Sequence, residues 1–460
     1  MSVIADALKS RPALLFAFAF AVMADPVSSV AYAIEAPLRA LNGDLHLLFP
    51  AMAAVIIVVT IVIINYQQII ARYPNGGGAA AASGEAFGEA WAFIPIGALV
   101  VDYVLTIAIS VAAGSAAIIA YFPTLGPARL PIGIGLLLLV GGLTWFGHLG
   151  RLFFAVLTVA FVIVSTVVLV SGAFQPHHPI GITQGNPGHS ASLAVVLAFP
   201  VAMALSTGIE APSSAIAQLG QIDADARRRF GQITLWLTLG IVGVLTLGMT
   251  LEAVHIGVGV PNADSTMVAN LAQRASSPGV FAAFQAVTAL LLLSAASSSF
   301  QAGPGLFKAL ATKHNGQSSI LPAPLARTNK HHTPVLGVVV FTLLAVVVTS
   351  AAGGDDQKLV LFYAVSVFMS FLAGLLAMCV FSRRARRPAS LALNILGALV
   401  VAFTLAVNLA RITPIASLVA ALAIAGVLYA LWARAGRPQG IRNVAAEAEI
   451  LEPAGETTGT

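Results

Sequence analysis

Apolar residues run along this chain for about 20 positions at a time, the length needed to cross the hydrocarbon of a bilayer. Short polar or charged stretches separate the runs. Twelve such runs begin near Pro12, Leu47, Ala92, Leu130, Arg151, Ala191, Gly231, Pro278, Thr333, Lys358, Ala389 and Pro414. Runs of this length predict membrane-spanning helices, because a helix satisfies its own backbone polar groups where lipid offers no partner. The expected molecule is an all-α, multi-pass membrane protein.

Composition narrows the picture. The 460 residues are 58% hydrophobic and only 9% charged, which argues against a soluble enzyme, a nucleic-acid binder and a secreted scaffold. The formal charge of +5 calls for no acidic partner, since Lys and Arg gather in the loops of one side. With twelve spans, eighteen basic residues fall on the side that bears both termini, Lys9 and Lys313 among them. Only Arg39, Arg129, Arg274, Lys358 and Arg411 fall on the other. Both termini are therefore expected in the cytoplasm, with the protein in the cell (inner) membrane. The "RRARR" run at 383–387 then serves as a topology anchor rather than a nucleic-acid site. A single cysteine, Cys379, excludes a disulfide within one chain. The first apolar run has no small-residue cleavage site followed by soluble sequence, so no cleaved signal is expected. His177–His178 and His331–His332 lie in loops without further ligands at metal spacing. The glycine-rich stretch at 73–90 lacks the Gly-Lys-Ser/Thr ending of a phosphate loop, and predicts a short loop and interfacial helix instead.

Polar residues inside the spans carry the candidate chemistry, since a charge at mid-bilayer costs roughly 2.5–3.5 kcal/mol on insertion scales. Asp25, Asp102 and Glu210 are the clear cases, whereas Glu35 and Glu252 are expected at solvated span ends. The first span reads Asp25-Pro26-Val27-Ser28-Ser29 and the sixth Glu210-Ala211-Pro212-Ser213-Ser214. Aligning Asp25 with Glu210 also aligns both serine pairs, at an offset of 185 residues. Paired interruptions five spans apart are the mark of transporters built from five-plus-five inverted repeats. The expected organisation is a cytoplasmic N-terminus (1–11), a first repeat (12–172), a second repeat (191–382), two further helices (388–434) and a cytoplasmic tail (435–460). Pro26 and Pro212 withhold backbone donors and, with Ser28, Ser29, Ser206 and Gly208, are expected to open helices one and six. Freed carbonyls, hydroxyls (Thr207 included) and the two carboxylates would then surround a cation.

In the third span Tyr103, Thr106 and Ser110 recur at i, i+3 and i+7, so three hydroxyls share one helix stripe, with Asp102 on the adjoining face. Tyr32 reaches the same side as the first break if the second half-helix starts near Val27. In the eighth span Ser297, Ser298 and Ser299 approach the helix end, where Ser297 and Ser298 form a candidate sodium site with helix one. The tenth span holds Tyr363 among apolar residues.

Together "DPVSSVAY", "DYVLTIAIS", "STGIEA" and "LFYAVSVF" resemble the KimA-type potassium–proton symporters, in the KUP branch of the amino acid–polyamine–organocation superfamily. The resemblance runs from about Pro12 to Arg434. It implies a LeuT-like fold, usually as a homodimer, with Asp25, Tyr32, Tyr103, Thr106, Ser110, Thr207, Glu210 and Tyr363 along a potassium path. It points to potassium uptake coupled to proton symport by alternating access, with no catalytic residues and no cofactor. Asp25 and Glu210 are the expected proton-coupling pair and Asp102 the runner-up. The Gly-Ser-Gly signature of amino-acid permeases is missing from the first broken helix, although a proton- or sodium-coupled amino acid or polyamine permease on the same fold stays open. Relatives of this type carry a large cytoplasmic domain that binds cyclic di-AMP. Only a short, net acidic tail follows Arg434 here, so control by that nucleotide is not expected.

Overall fold

A computed structural model describes residues 11–146, 151–312, 319–411 and 414–449. Lys9 and Lys313 of the basic tally, most of the N-terminal segment and the last part of the tail lie outside the described residues. Among those described, the chain is nearly all helix, and two isolated bridges (Ile180 to Val258 and Ile182 to Val260) are the extended pairing.

The spanning elements are α1 (Arg11–Val22) and α2 (Ala24–Ala40), α3 (Leu45–Arg72), α5 (Phe93–Tyr121), α6 (Arg129–Trp145), α7 (Arg151–Gly172), α8 (Ala191–Ala202) leading into α9 (Ala211–Ala215), α10 (Ala224–Ile256), α12 (Pro278–Ala311), α13 (Val335–Ala351), α14 (Asp356–Arg384), α15 (Pro388–Leu409) and α16 (Ile415–Arg434). Three shorter helices lie between or after them: α4 (Gly78–Phe87), α11 (Met267–Ala275) and α17 (Val444–Glu449). Ten of the described spans are long and apolar enough to cross a membrane, and the bent α1–α2 pair makes eleven. The twelfth expected span is α13, apolar throughout but 17 residues long.

Local chemistry sets the helix starts. Asp44, Asp223, Thr266 and Asp355 accept from the free backbone N–H groups at the heads of α3, α10, α11 and α14. Pro278 and Pro388 occupy first turns, where the missing N–H is no loss. The stretch expected as loop plus interfacial helix forms α4. Burial pushes the Glu85 carboxyl up, but hydrogen bonds from Arg72 and Tyr73 outweigh it and hold the group below the ordinary glutamate range.

Burial sorts the spans. The apolar stretch of α5 is 83% buried and that of α14 71%, against 28% for α6, α15 and α16. The first two therefore form the centre, and the last three turn most of their surface to lipid. Alanine and glycine along α5 let α12, α14 and α16 approach closely. At Gly97 an added Cβ would stand 2.5 Å from the Ala421 carbonyl oxygen.

Two expectations about acids fail here. Glu35 is 4% exposed: α11 aims the backbone N–H of Met267 at its carboxylate (2.8 Å), and Arg39 pairs with it at 2.7 Å. Glu252 is 6% exposed, filling space that Gly172 leaves on α7, and neither of its oxygens has a hydrogen-bond partner. Neither is a solvated end, because neighbouring elements cover both.

Candidate functional site

The two interruptions differ in kind. Between α1 and α2 the axis bends by 48° at Met23, and hydrogen bonds still bridge the bend from Met23 to Ala19 and from Val27 to Met23. The second half-helix begins at Ala24, three residues before the expected Val27. Pro26 falls in its first turn, and without an N–H it cannot close on the Val22 carbonyl. The α8–α9 interruption is a true opening. After a 3-10 turn at Met203–Ser206 the backbone of Thr207 is extended (φ −50°, ψ 132°), and Gly208 adopts φ +68°. A Cβ on Gly208 would stand 2.7 Å from Asp25 Oδ2 and 2.8 Å from Pro26 Cδ. Glycine is thus required both for the left-handed backbone and for the contact that seats one break on the other.

Hydroxyls stitch the breaks together. Ser29 donates to the Pro26 carbonyl (2.6 Å) and reaches the Leu205 carbonyl of the opposite break (3.3 Å). Tyr32 Oη lies 3.5 Å from Thr207 Oγ1. Ser28, Ser206, Thr207 and Ser213 each donate to a carbonyl three residues earlier, at 2.6–2.8 Å. Their protons are taken by local backbone, which leaves oxygen lone pairs rather than O–H groups for a ligand.

Asp25, Asp102 and Glu210 all line one cavity of about 210 Å³, together with Tyr103, Gly208, Ser214, Gln218, Ser298, Ser299, Gln301 and Glu449. Among the described residues no Lys, Arg or His lines it. Oδ1 of Asp25 and Oδ1 of Asp102 are buried without a hydrogen-bond partner. Tyr363 stands beside Asp102 and Thr207, its hydroxyl buried without closing a hydrogen bond to either. Glu210 is held differently: its Oε2 accepts from Tyr66 and from Ser370, each at 2.6 Å.

The remaining expected residues divide. Thr106 and Ser110 are 2% and 1% exposed and sit outside the cavity wall, Thr106 with an unpartnered oxygen. Tyr32 lines a separate space of about 10 Å³ with Thr266, Gln285, Thr288 and Asp356. Ser298 borders the main cavity, its hydroxyl donating to the Ala295 carbonyl, while Ser297 does not reach it. Pro212 is buried at the head of α9. A larger apolar groove, about 510 Å³ between α5, α13, α14 and α16, holds none of these carboxylates.

Tyr66, Ser370, Gln218 and Glu449 were not singled out from the sequence. "NYQQ" at 65–68 interrupts an otherwise apolar span, and that polar cluster is the signal that marks Tyr66. Ring packing on Phe371 (centroids 5.7 Å apart) aims its hydroxyl. Ser370 and Glu449 carry no such local signal.

Paired helix breaks around a carboxylate-lined cavity, inside a bundle of apolar spans, mark a multi-pass membrane protein with a buried polar site. The chain belongs to the amino acid permease family of the amino acid–polyamine–organocation superfamily, whose model matches residues 14–441. Over 308 residues it is 30% identical to the potassium transporter KimA of Bacillus subtilis (strain 168), a match covering 65% of this chain and 49% of that protein. The chain thus spans about half the length of that curated relative. Among solved structures, the manganese transporter of Eremococcus coleocola, in complex with an aromatic bis-isothiourea substituted compound, aligns with 92% of this chain and 95% of its own, at a TM-score of 0.46 and 16% identity.

Proposed function

We propose that the protein takes up potassium by proton symport, with the ion passing between the two helix breaks. The observation that supports this best is the cavity lined by Asp25, Asp102 and Glu210, with no basic side chain among the described residues of its wall. A buried carboxylate oxygen without a partner is costly, so Asp25 and Asp102 each hold either a proton or a nearby cation. Exchange of one for the other couples the two fluxes. Potassium is large and weakly hydrated, and the modest dipoles of tyrosine, threonine and carbonyl oxygens suit it. Tyr32, Tyr103, Thr106, Ser110, Thr207 and Tyr363 are the neutral oxygens of the proposed path. Asp25 is the favoured coupling group, with its Oδ1 unpartnered and its Oδ2 at the Gly208 contact. Glu210, already accepting two hydroxyl protons, fits a fixed negative charge, and Asp102 beside Tyr363 is the second candidate carrier.

We place both termini in the cytoplasm, from the basic residues, and read residues 12–172 and 191–382 as the inverted repeats. Rocking of the spans that carry the breaks against the others gives alternating access.

In cells lacking potassium uptake, Asp25→Asn is expected to leave growth at low potassium unrescued, and normal rescue removes Asp25 from the path. In proteoliposomes, potassium entry should acidify the lumen. Potassium uptake without proton movement leaves a uniporter. A diamine would also suit paired carboxylates, so excess putrescine that blocks uptake favours a polyamine permease.

A further inference from the structure

The chain after α16 turns back onto the bundle. Arg437 and Gly436 take left-handed backbone (φ +57° and +87°), and Trp432 Nε1 donates to the Pro438 carbonyl at 2.8 Å. Residues 441–449 then dock. Ile441, Val444, Ala445 and Ala446 are buried, at 4–8% exposure, though this segment follows the last span. The backbone N–H of Arg442 donates to Glu89 (3.1 Å) and its guanidinium pairs with the same carboxylate at 3.5 Å. Gln218 Nε2 donates to Glu449 Oε2 at 2.6 Å.

The floor of this dock is glycine. An added Cβ would meet Arg442 Cβ at 2.6 Å from Gly84, Ala446 Cβ at 3.2 Å from Gly76, and the Ala448 carbonyl oxygen at 2.8 Å from Gly305. Gly76 and Gly84 belong to the glycine-rich stretch that fitted no phosphate loop. Their lack of a side chain makes room for the returning tail.

Ala448 and Glu449 complete the wall of the carboxylate cavity, on the side where Ser214, Gln218 and Gln301 line it. We propose that the docked segment 441–449 is a gate across this mouth of the cavity, latched by Gln218–Glu449 and Glu89–Arg442, and that cargo passes there only when it undocks. The assignment of the cargo as potassium rests on the function proposed above, whereas the gate itself does not.

The test uses full-length protein in a Cys379→Ser background. The Cβ atoms of Ala217 and Ala446 lie 2.9 and 3.2 Å from one point beside Gly76, so cysteines there are near neighbours in the docked state. Joining Ala217→Cys to Ala446→Cys with a short bis-methanethiosulfonate linker should cut rubidium or potassium flux about tenfold or more, as the release-competent fraction falls, with recovery in dithiothreitol. Unchanged flux in the linked protein overturns the gate, as does failure of the two cysteines to link. Separately, Ser214→Cys inside the cavity should react with a maleimide from the tail side several-fold faster when Ala446→Trp forces the segment out of its dock. Equal labelling with either tail overturns the gate. Tail-dependent labelling in a protein that moves no potassium keeps the gate and removes the potassium reading.

Discussion

Glu210 receives two hydroxyl protons on a single oxygen, from α3 and from α14, while Asp25 and Asp102 each keep an oxygen without a partner. Three acids in one cavity therefore have unequal settings, and substitutions should separate them. Tyr66→Phe keeps the ring packing on Phe371 and removes one donor to a carboxylate, an interaction typically worth about 1.5–3 kcal/mol. Uptake at subsaturating cation should fall by about tenfold or more, and the melting temperature should drop with it, since the same bond also stabilises the fold. Ser370→Ala should act in the same direction, and the double variant less than additively, because both bonds share Oε2. Equal uptake by Tyr66→Phe and the parent would mean that Glu210 needs no fixed orientation. The three carboxylates were legible in the sequence because an acid in an apolar run is conspicuous. Their partners were not, because a tyrosine or serine in a span is ordinary until its neighbour is known.

At the scale of elements, the two breaks work as one unit. Helix one only bends, while the α8–α9 segment opens at Thr207 and Gly208 and leans on the Asp25–Pro26 turn. Gly208→Ala places a side chain on a left-handed residue and against Asp25, so it should destabilise by more than the ~1 kcal/mol of an ordinary glycine replacement. A lower melting temperature together with lost uptake is the expected outcome. Unaltered melting and transport would show that the segment relaxes away from helix one. The aligned acids and serines were visible at 185 residues' separation, and the prolines drew attention to both spans. Which break bends and which opens was not visible, since that depends on the glycine and on what packs against it. The burial of Glu35 and Glu252 likewise follows from α11 and α7, elements far away in the chain.

For the whole molecule, α5 and α14 form the centre, the cavity lies between α5, α12 and the breaks, and Ala448 and Glu449 of the tail stand on its wall. A cation that binds the folded protein and not the unfolded chain raises its stability by mass action, about 2.7 kcal/mol at about 100 times Kd. Potassium should therefore raise the melting temperature of purified protein more than sodium at equal ionic strength, and Asp25→Asn should abolish the difference. Equal shifts with both ions would count against a selective potassium site. The sequence by itself determined where the apolar spans fall and the paired polar interruptions. These are written in the local alternation of apolar runs and breakers, which the bilayer reads residue by residue. Tertiary structure alone decided the clamp on Glu210, the seating of Gly208 on Asp25 and the closure of the cavity by residues 441–449. Each of those is a contact between segments more than 100 residues apart, and only packing brings such groups within hydrogen-bond reach.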